Sequence, residues 1–186
     1  LEAGCRIGTS SLRRQAQIRA RRNDVIIESL RGNVGTRLRK LDEGEYRAIV
    51  LAYAGMRRLE LTSRPHKLLS IEECIPAVGQ GALGLETRED DRDVQRLLAP
   101  LDHAPTRVAI EAERAFLARL SGGCQLPIAG HARLSNDNSR LRIDALVGSA
   151  DGYQLITHGS DRYLGDLSPE GLLRQALRAE VDNQPG

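Results

Sequence analysis

Gly8-Thr9-Ser10-Ser11-Leu12-Arg13-Arg14-Gln15 stands between a strand-sized stretch, residues 5–8, and a run rich in helix formers, 10–22. Ser and Thr at the front of such a run cap helices, because their hydroxyls accept from amides that a first turn leaves without partners. The stretch reads as a strand-to-helix turn. It places Arg13 and Arg14 in the first helical turn, where the macrodipole disfavours each cation by about 0.3–1 kcal/mol. Free amides and hydroxyls point the same way, which is how proteins receive anions. Two arginines set against the dipole point to an anionic ligand.

Ser29-Leu30-Arg31-Gly32-Asn33-Val34-Gly35-Thr36-Arg37 repeats the arrangement. The β-branched run 25–30 predicts a strand, and Asn33 can cap a helix to about 41. A third apolar run, 48–53, has strand length and leads into a short helical stretch, 54–61, that carries Arg57 and Arg58. Apolar strands alternating with helices predict a parallel sheet covered on both faces. Both arginine-bearing turns then lie at the carboxyl ends of strands, the usual ligand crevice of such sheets. Arg19, Arg21, Arg22 and Arg39 read instead as solvated helix faces making i,i+4 pairs.

Ser63-Arg64-Pro65 closes this unit, and Pro76-Ala77-Val78-Gly79-Gln80-Gly81 reads as a hinge. Residues 82–87 suggest a further strand and 90–98 a further helix. A helix is predicted over 106–120, with Val108, Ala112, Ala115 and Phe116 on one face, and Ser121-Gly122-Gly123 ends it. Three strands follow, 128–134, 141–147 and 153–158, separated by turns at Asn136-Asp137-Asn138 and Asp151-Gly152. They predict an antiparallel meander, and Ser168-Pro169-Glu170 opens a closing helix to about 179. The fold class is α/β with a smaller α+β unit at the C-terminal end.

The composition, 40% apolar and 28% charged over 186 residues, excludes a disordered or low-complexity chain. No apolar run approaches the roughly 20 residues that span a bilayer. Cys5, Cys74 and Cys124 form no C-x-x-C pair and the four histidines no metal-ligand spacing, so neither a metal site nor a disulfide framework is expected. So few cysteines suit a reducing cytosol. The chain opens Leu1-Glu2-Ala3 and its one Met is Met56, so it is expected to begin inside a longer protein.

Charge is unevenly placed: residues 1–64 hold 14 Lys and Arg against 7 Asp and Glu, the remainder 13 against 18. A basic lobe attracts nucleic acid, but with no Trp, one Phe and four Tyr there are few platforms for single strands. Neither nucleotide-binding signature, G-x-x-x-x-G-K-[ST] or G-x-G-x-x-G, is present. Arginine forks hold carboxylates as readily as phosphates, and a polycarboxylate fits at least as well. Leu120-Ser121-Gly122-Gly123-Cys124-Gln125-Leu126-Pro127 sets a cysteine on a loop beyond a helix. By its chemistry Cys124 is either an inert packing residue, as most lone cysteines are, or a nucleophile without help from the helix end.

Gly8 to Gln15, Leu30 to Arg37, Pro76-Ala77-Val78-Gly79-Gln80-Gly81-Ala82, and Gly122-Gly123-Cys124-Gln125-Leu126-Pro127 occur in that order. Together they closely resemble the porphobilinogen deaminase (hydroxymethylbilane synthase) family, from about Arg6 to beyond Val147. The resemblance implies a transferase that joins four porphobilinogen molecules into hydroxymethylbilane, releasing ammonia at each step. It implies a dipyrromethane cofactor in thioether linkage to Cys124, with carboxylates held by Thr9, Ser10, Ser11, Arg13, Arg14 and Arg37. Arg31 and Arg58 would hold the incoming or terminal ring. Gln80 and Gly81 would lie beside the cofactor, with Arg88 a further candidate. Arg13→Leu and Arg14→Leu are then expected to impair primer loading and leave the fold intact.

The implied architecture has a periplasmic-binding-protein-like domain plus a small C-terminal α+β domain with a three-stranded antiparallel sheet. Residues 1–75 would be most of domain 2, 76–81 the crossover, 82–99 a return to domain 1, and 101–186 the cofactor-bearing domain 3. The family's catalytic aspartate and neighbouring lysine match no residue here, so no catalytic residue is assigned and these 186 residues alone are expected to be inactive. Expected partners are porphobilinogen and its oligopyrrole products, with neither nucleic acid nor membrane, in a cytoplasmic protein that is monomeric at full length. The alternatives are a non-catalytic carboxylate-binding sensor module, which leaves Cys124 without a purpose, and a nucleic-acid-binding domain.

Overall fold

A computed structural model describes residues 1–120, 126–149 and 155–163. The chain divides into two compact units. One holds Leu1–Ile75 with residues 126–129, 146–149 and 155–156; the other holds 76–120 with 130–145 and 157–163.

The first unit opens with β1 (Arg6–Gly8), α1 (Leu12–Arg21), β2 (Ile26–Glu28), α2 (Val34–Asp42), β3 (Ala48–Ile49) and α3 (Tyr53–Arg58). The strands form a parallel sheet in the order β2-β1-β3, with Ile7 opposite Ile27 on one side and Ala48 on the other. Parallel neighbours need crossovers, and these are right-handed almost without exception. The chain moves from β1 to β2 in one direction and back past β1 to β3 in the other, so α1 and α2 cover opposite faces. The core is Ile7, Ala16, Leu30, Leu38, Tyr46 and Met56, all buried. The regular strands are shorter than the apolar runs, although bonding extends past them, with Thr9 N donating to Glu28 O and Val50 N to Gly8 O. Tyr53 already begins α3, which cuts the third apolar run short.

The second unit begins with the 76–81 segment. Residues 82–88 form no strand, which departs from the sequence expectation. A strand needs an edge to pair with, and among the described residues none pairs with it; Leu83 and Leu85 remain 88% and 59% exposed. Next come α4 (Arg92–Leu98), a 3₁₀ turn (Ala99–Leu101) and α5 (Ala104–Arg119). In α5 Ala112 and Phe116 are buried as the periodicity requires, together with a charged residue, Glu113.

β4 (Ile128–Leu134), β5 (Arg140–Gly148) and β6 (Leu155–Tyr163) form a three-stranded antiparallel sheet in that order. β5 alternates buried Leu141, Ile143 and Ala145 with more exposed residues, the period-two pattern of a sheet with one covered face. The closing helix expected near 170–179 lies outside the described residues. Among the described residues no helix is long and apolar enough to cross a membrane.

Candidate anion-binding site

Two strand-to-helix turns meet at the carboxyl edge of the parallel sheet. After β1, Thr9 is buried; its hydroxyl accepts from Ser11 N at 3.3 Å and its carbonyl from Gln15 Nε2 at 3.0 Å. Ser11 caps α1 as the sequence predicts, its side chain accepting from Arg14 N at 3.4 Å. Ser10 crosses to the second turn, its hydroxyl donating to Leu30 O at 2.6 Å and lying 3.1 Å from the Ser29 hydroxyl. Tyr46 reinforces that turn with a hydrogen bond from its hydroxyl to Ser29 O at 3.1 Å.

At the second turn Asn33 caps α2, accepting from Thr36 N at 2.8 Å. Gly32 has φ +113°, and a Cβ there would meet the Thr36 side chain at 2.8 Å, so only glycine permits this bend. Arg37 Nε donates to Gly32 O at 2.8 Å and ties the helix to the bend. Gly8 serves a different end. A Cβ on it would lie 2.9 Å from both Leu30 and Tyr46, so its absence lets the central strand end close against its neighbours.

Arg13 and Arg14 occupy the first turn of α1, and no acidic residue stands in the first turn of α1, α2 or α3. The two arginines differ. Arg13 is 8% exposed, donates to Ile75 O at 2.6 Å and lies 3.9 Å from Cys74 Sγ. Burial holds its guanidinium below the usual arginine value, with Cys74 opposing the shift. Arg14 reaches from the turn after β1 to the end of β3, donating to Val50 O at 3.1 Å. It therefore spans the point where strand order reverses, the place at which open α/β sheets bind ligands. Burial, then repulsion from Arg13, lowers its pKa; Cys74 opposes this and the Arg37 charge adds to it.

Arg14 thus feels the charges of both Arg13 and Arg37. Among the described residues, Arg14, Arg31, Arg37 and Arg58 have no acidic side chain within ion-pair distance. On the outer faces the pattern reverses. Arg39 pairs with Glu43 at 2.6 Å in the expected i,i+4 relation, and Arg22 pairs with Asp24 at 2.7 Å. Like charges brought together repel, and a polyanion between them would offset that repulsion.

Arg31 is exposed at the start of the second turn, and Arg58 is exposed in the last turn of α3. Gln80 and Gly81 belong to the second unit, in a turn where Gln80 Oε1 accepts from Ala77 N at 3.2 Å and Gly81 has φ +94°. Arg88 pairs with Asp90 at 3.3 Å. Cys124 lies outside the described residues. Sequence reasoning did not single out two buried polar groups, Gln17 and Glu113. Gln17 resembles any other helix former in sequence. Glu113 adjoins the apolar positions Ala112 and Phe116, a signal that a charge had been placed on the buried face. No group of three or more His, Cys, Asp or Glu that could hold a metal ion occurs among the described residues.

Sheet order and crossovers define an α/β protein with arginines gathered at its strand ends. Residues 1–96 match a family model described as "Porphobilinogen deaminase, dipyromethane cofactor binding domain", and residues 108–162 match "Porphobilinogen deaminase, C-terminal domain". The chain belongs to the porphobilinogen deaminase family, transferases of tetrapyrrole biosynthesis that carry a dipyrromethane cofactor.

Proposed function

We propose that this chain is the cofactor- and substrate-holding part of a hydroxymethylbilane synthase, which joins four porphobilinogen molecules and releases one ammonia per bond. The cluster of Arg13, Arg14 and Arg37 at two strand-to-helix turns carries the reading. Each pyrrole ring brings an acetate and a propionate, and a guanidinium fork matches a carboxylate bidentately. The donors present fit a ligand with several carboxylates. When bound, the dipyrromethane supplies the pyrrole carbon to which further units are added.

Each residue has a separate task in this reading. Arg13, Arg14 and Arg37, with Thr9, Ser10 and Ser11, hold the cofactor's carboxylates. Arg31 and Arg58, both exposed, hold the incoming or terminal ring. Gln80 and Gly81 lie beside the cofactor. Cys124 provides the sulfur for attachment: the aminomethyl C–N bond breaks, ammonia leaves with the thiol proton, and a C–S bond forms to the freed methylene. A soft nucleophile held in place suffices for that step. The arginines position and neutralise; they do not take part in bond making.

The proposed domain assignment follows the family. Residues 1–75 are most of a binding-protein-like second domain, 76–81 the crossover, 82–99 a return to the first domain, and 101–186 the third. The protein acts in the cytoplasm as a monomer. No residue among the 186 is assigned to protonating the leaving amine, so these residues alone do not turn over porphobilinogen.

Intact mass of the full-length enzyme tests the reading. An excess equal to two linked pyrroles, lost in Cys124→Ser, is the expected result. An unmodified thiol after incubation with porphobilinogen would leave only carboxylate binding. Turnover by the 186-residue chain alone would overturn the inactivity.

A further inference from the structure

Glu113 is a carboxylate on the buried face of α5, 3% exposed, and nothing in the proposed chemistry uses it. Both of its oxygens are engaged. Oε2 accepts from Gly79 N at 2.6 Å and Oε1 from Ala132 N at 2.8 Å, with His131 Nδ1 3.7 Å from the same Oε1. One carboxylate thereby joins three pieces of the second unit: the 77–81 turn, α5 and β4. Packing alone would favour an apolar side chain here, as at Ala112 and Phe116. Two amide donors converging on one side chain call for two acceptors, which a carboxylate has and an amide lacks.

Within the turn Ala77 N donates to Gln80 Oε1 at 3.2 Å and Ala82 N to Gly79 O at 3.3 Å. Gln80 N donates to Ala77 O at 3.0 Å, and Gly130 N donates to Pro76 O at 3.1 Å at its entry. The Glu113 bond reaches the middle of the turn, one residue before Gln80, and its acceptor carries a charge.

We propose that Glu113 is a positioning residue that fixes the 77–81 turn so that Gln80 and Gly81 meet the dipyrromethane as a preformed surface. This rests on the proposed placement of the cofactor beside Gln80 and Gly81. Without the carboxylate the unit still folds, but the turn samples other conformations, and capture slows in proportion to the lost population.

The test uses full-length enzyme carrying Glu113→Gln, with Ile143→Val as comparator. The comparator trims the sheet core without touching the turn. Apoprotein is supplied with porphobilinogen and the return of the two-pyrrole mass is timed, with melting temperature measured alongside. Loss of one charge-assisted buried hydrogen bond should slow reloading about tenfold or more, whereas the comparator melts earlier and reloads at the wild-type rate. Reloading of Glu113→Gln at the comparator's rate overturns the role of Glu113. Wild-type enzyme that never gains the mass overturns the cofactor placement itself, a separate failure. If Glu113→Gln does not fold, amide exchange in the wild-type apoprotein decides. Protection of Gly79 matching that of Ala132 supports the proposal, and free exchange at Gly79 defeats it.

Discussion

Gln17 brackets Ile75: its Oε1 accepts from Ile75 N at 2.7 Å and its Nε2 donates to Ile75 O at 3.0 Å. A side-chain amide here imitates the edge of a neighbouring strand for a single residue. Arg13 Nη1 donates to the same carbonyl at 2.6 Å, so α1 grips the last residue before the 76–81 segment through two of its side chains. Ile75 in turn packs with buried Ala129 and Leu146. The helix that presents the cationic site is therefore fixed to the end of its own unit.

Replacing Gln17 with Leu keeps the volume and leaves the Ile75 amide buried without an acceptor. That should cost about 1–3 kcal/mol. Urea unfolding reads it directly, and an unchanged midpoint would mean that solvent reaches the amide.

Arg13 and Arg14 should separate on substitution. Arg13→Leu removes a buried donor from Ile75 O and should destabilise by about 1–3 kcal/mol in addition to impairing primer loading, with the fold retained. Arg14→Leu relieves repulsion from Arg13 and Arg37, should shift stability by less than about 1 kcal/mol, and should slow cofactor loading about tenfold. Arg39→Ala breaks an exposed i,i+4 pair worth about 0.3–0.5 kcal/mol and should leave loading unchanged. Timed intact mass and thermal melts distinguish the three; equal slowing by Arg39→Ala would show a general charge effect.

Gly8→Ala introduces a methyl group 2.9 Å from Leu30 and Tyr46 and 3.1 Å from Ile49. Overpacking of this kind costs about 1–3 kcal/mol. Because the methyl group sits at the switch point, loading should weaken along with the melting temperature, and a fully stable, fully loading variant would refute the close packing.

The β4–β5 turn carries its own pH dependence. Asp137 accepts from the Ser135 hydroxyl at 2.5 Å, from the Ser139 hydroxyl at 2.7 Å and from Ser139 N at 3.1 Å. These bonds lower its pKa to about 2, the Ser135 hydroxyl contributing most. A carboxyl depressed by folding contributes stability above its unfolded pKa and loses it as pH falls through the folded value, here between about 4 and 2. Titration of the Asp137 carboxyl by NMR should show a midpoint near 2, and Asp137→Asn should remove the step. A midpoint near 4 would show that the serines do not hold it.

Much of the site was legible because its signals are local. Ser11 and Asn33 cap helices in their own turns, Gly32 must be glycine for its own φ, and the i,i+4 pairing of Arg39 follows from helix geometry. The strand expected over 82–87 was not legible, because a strand exists only when another edge bonds to it. Glu113 was missed for a related reason: its acceptor atoms serve residues 34 and 19 positions away.

The sequence by itself determined the helix starts, the basic character of residues 1–64 and the presence of arginines in turns that would ordinarily hold acids. Those properties follow from backbone geometry and charge within a few residues. Only the tertiary structure decided what each arginine does, sending Arg13 inward to Ile75 and Arg14 across the switch point to Val50. The two are consecutive in the chain, but adjacent residues on a helix point about 100° apart, so the packing around each, and not its chemistry, sets its partner.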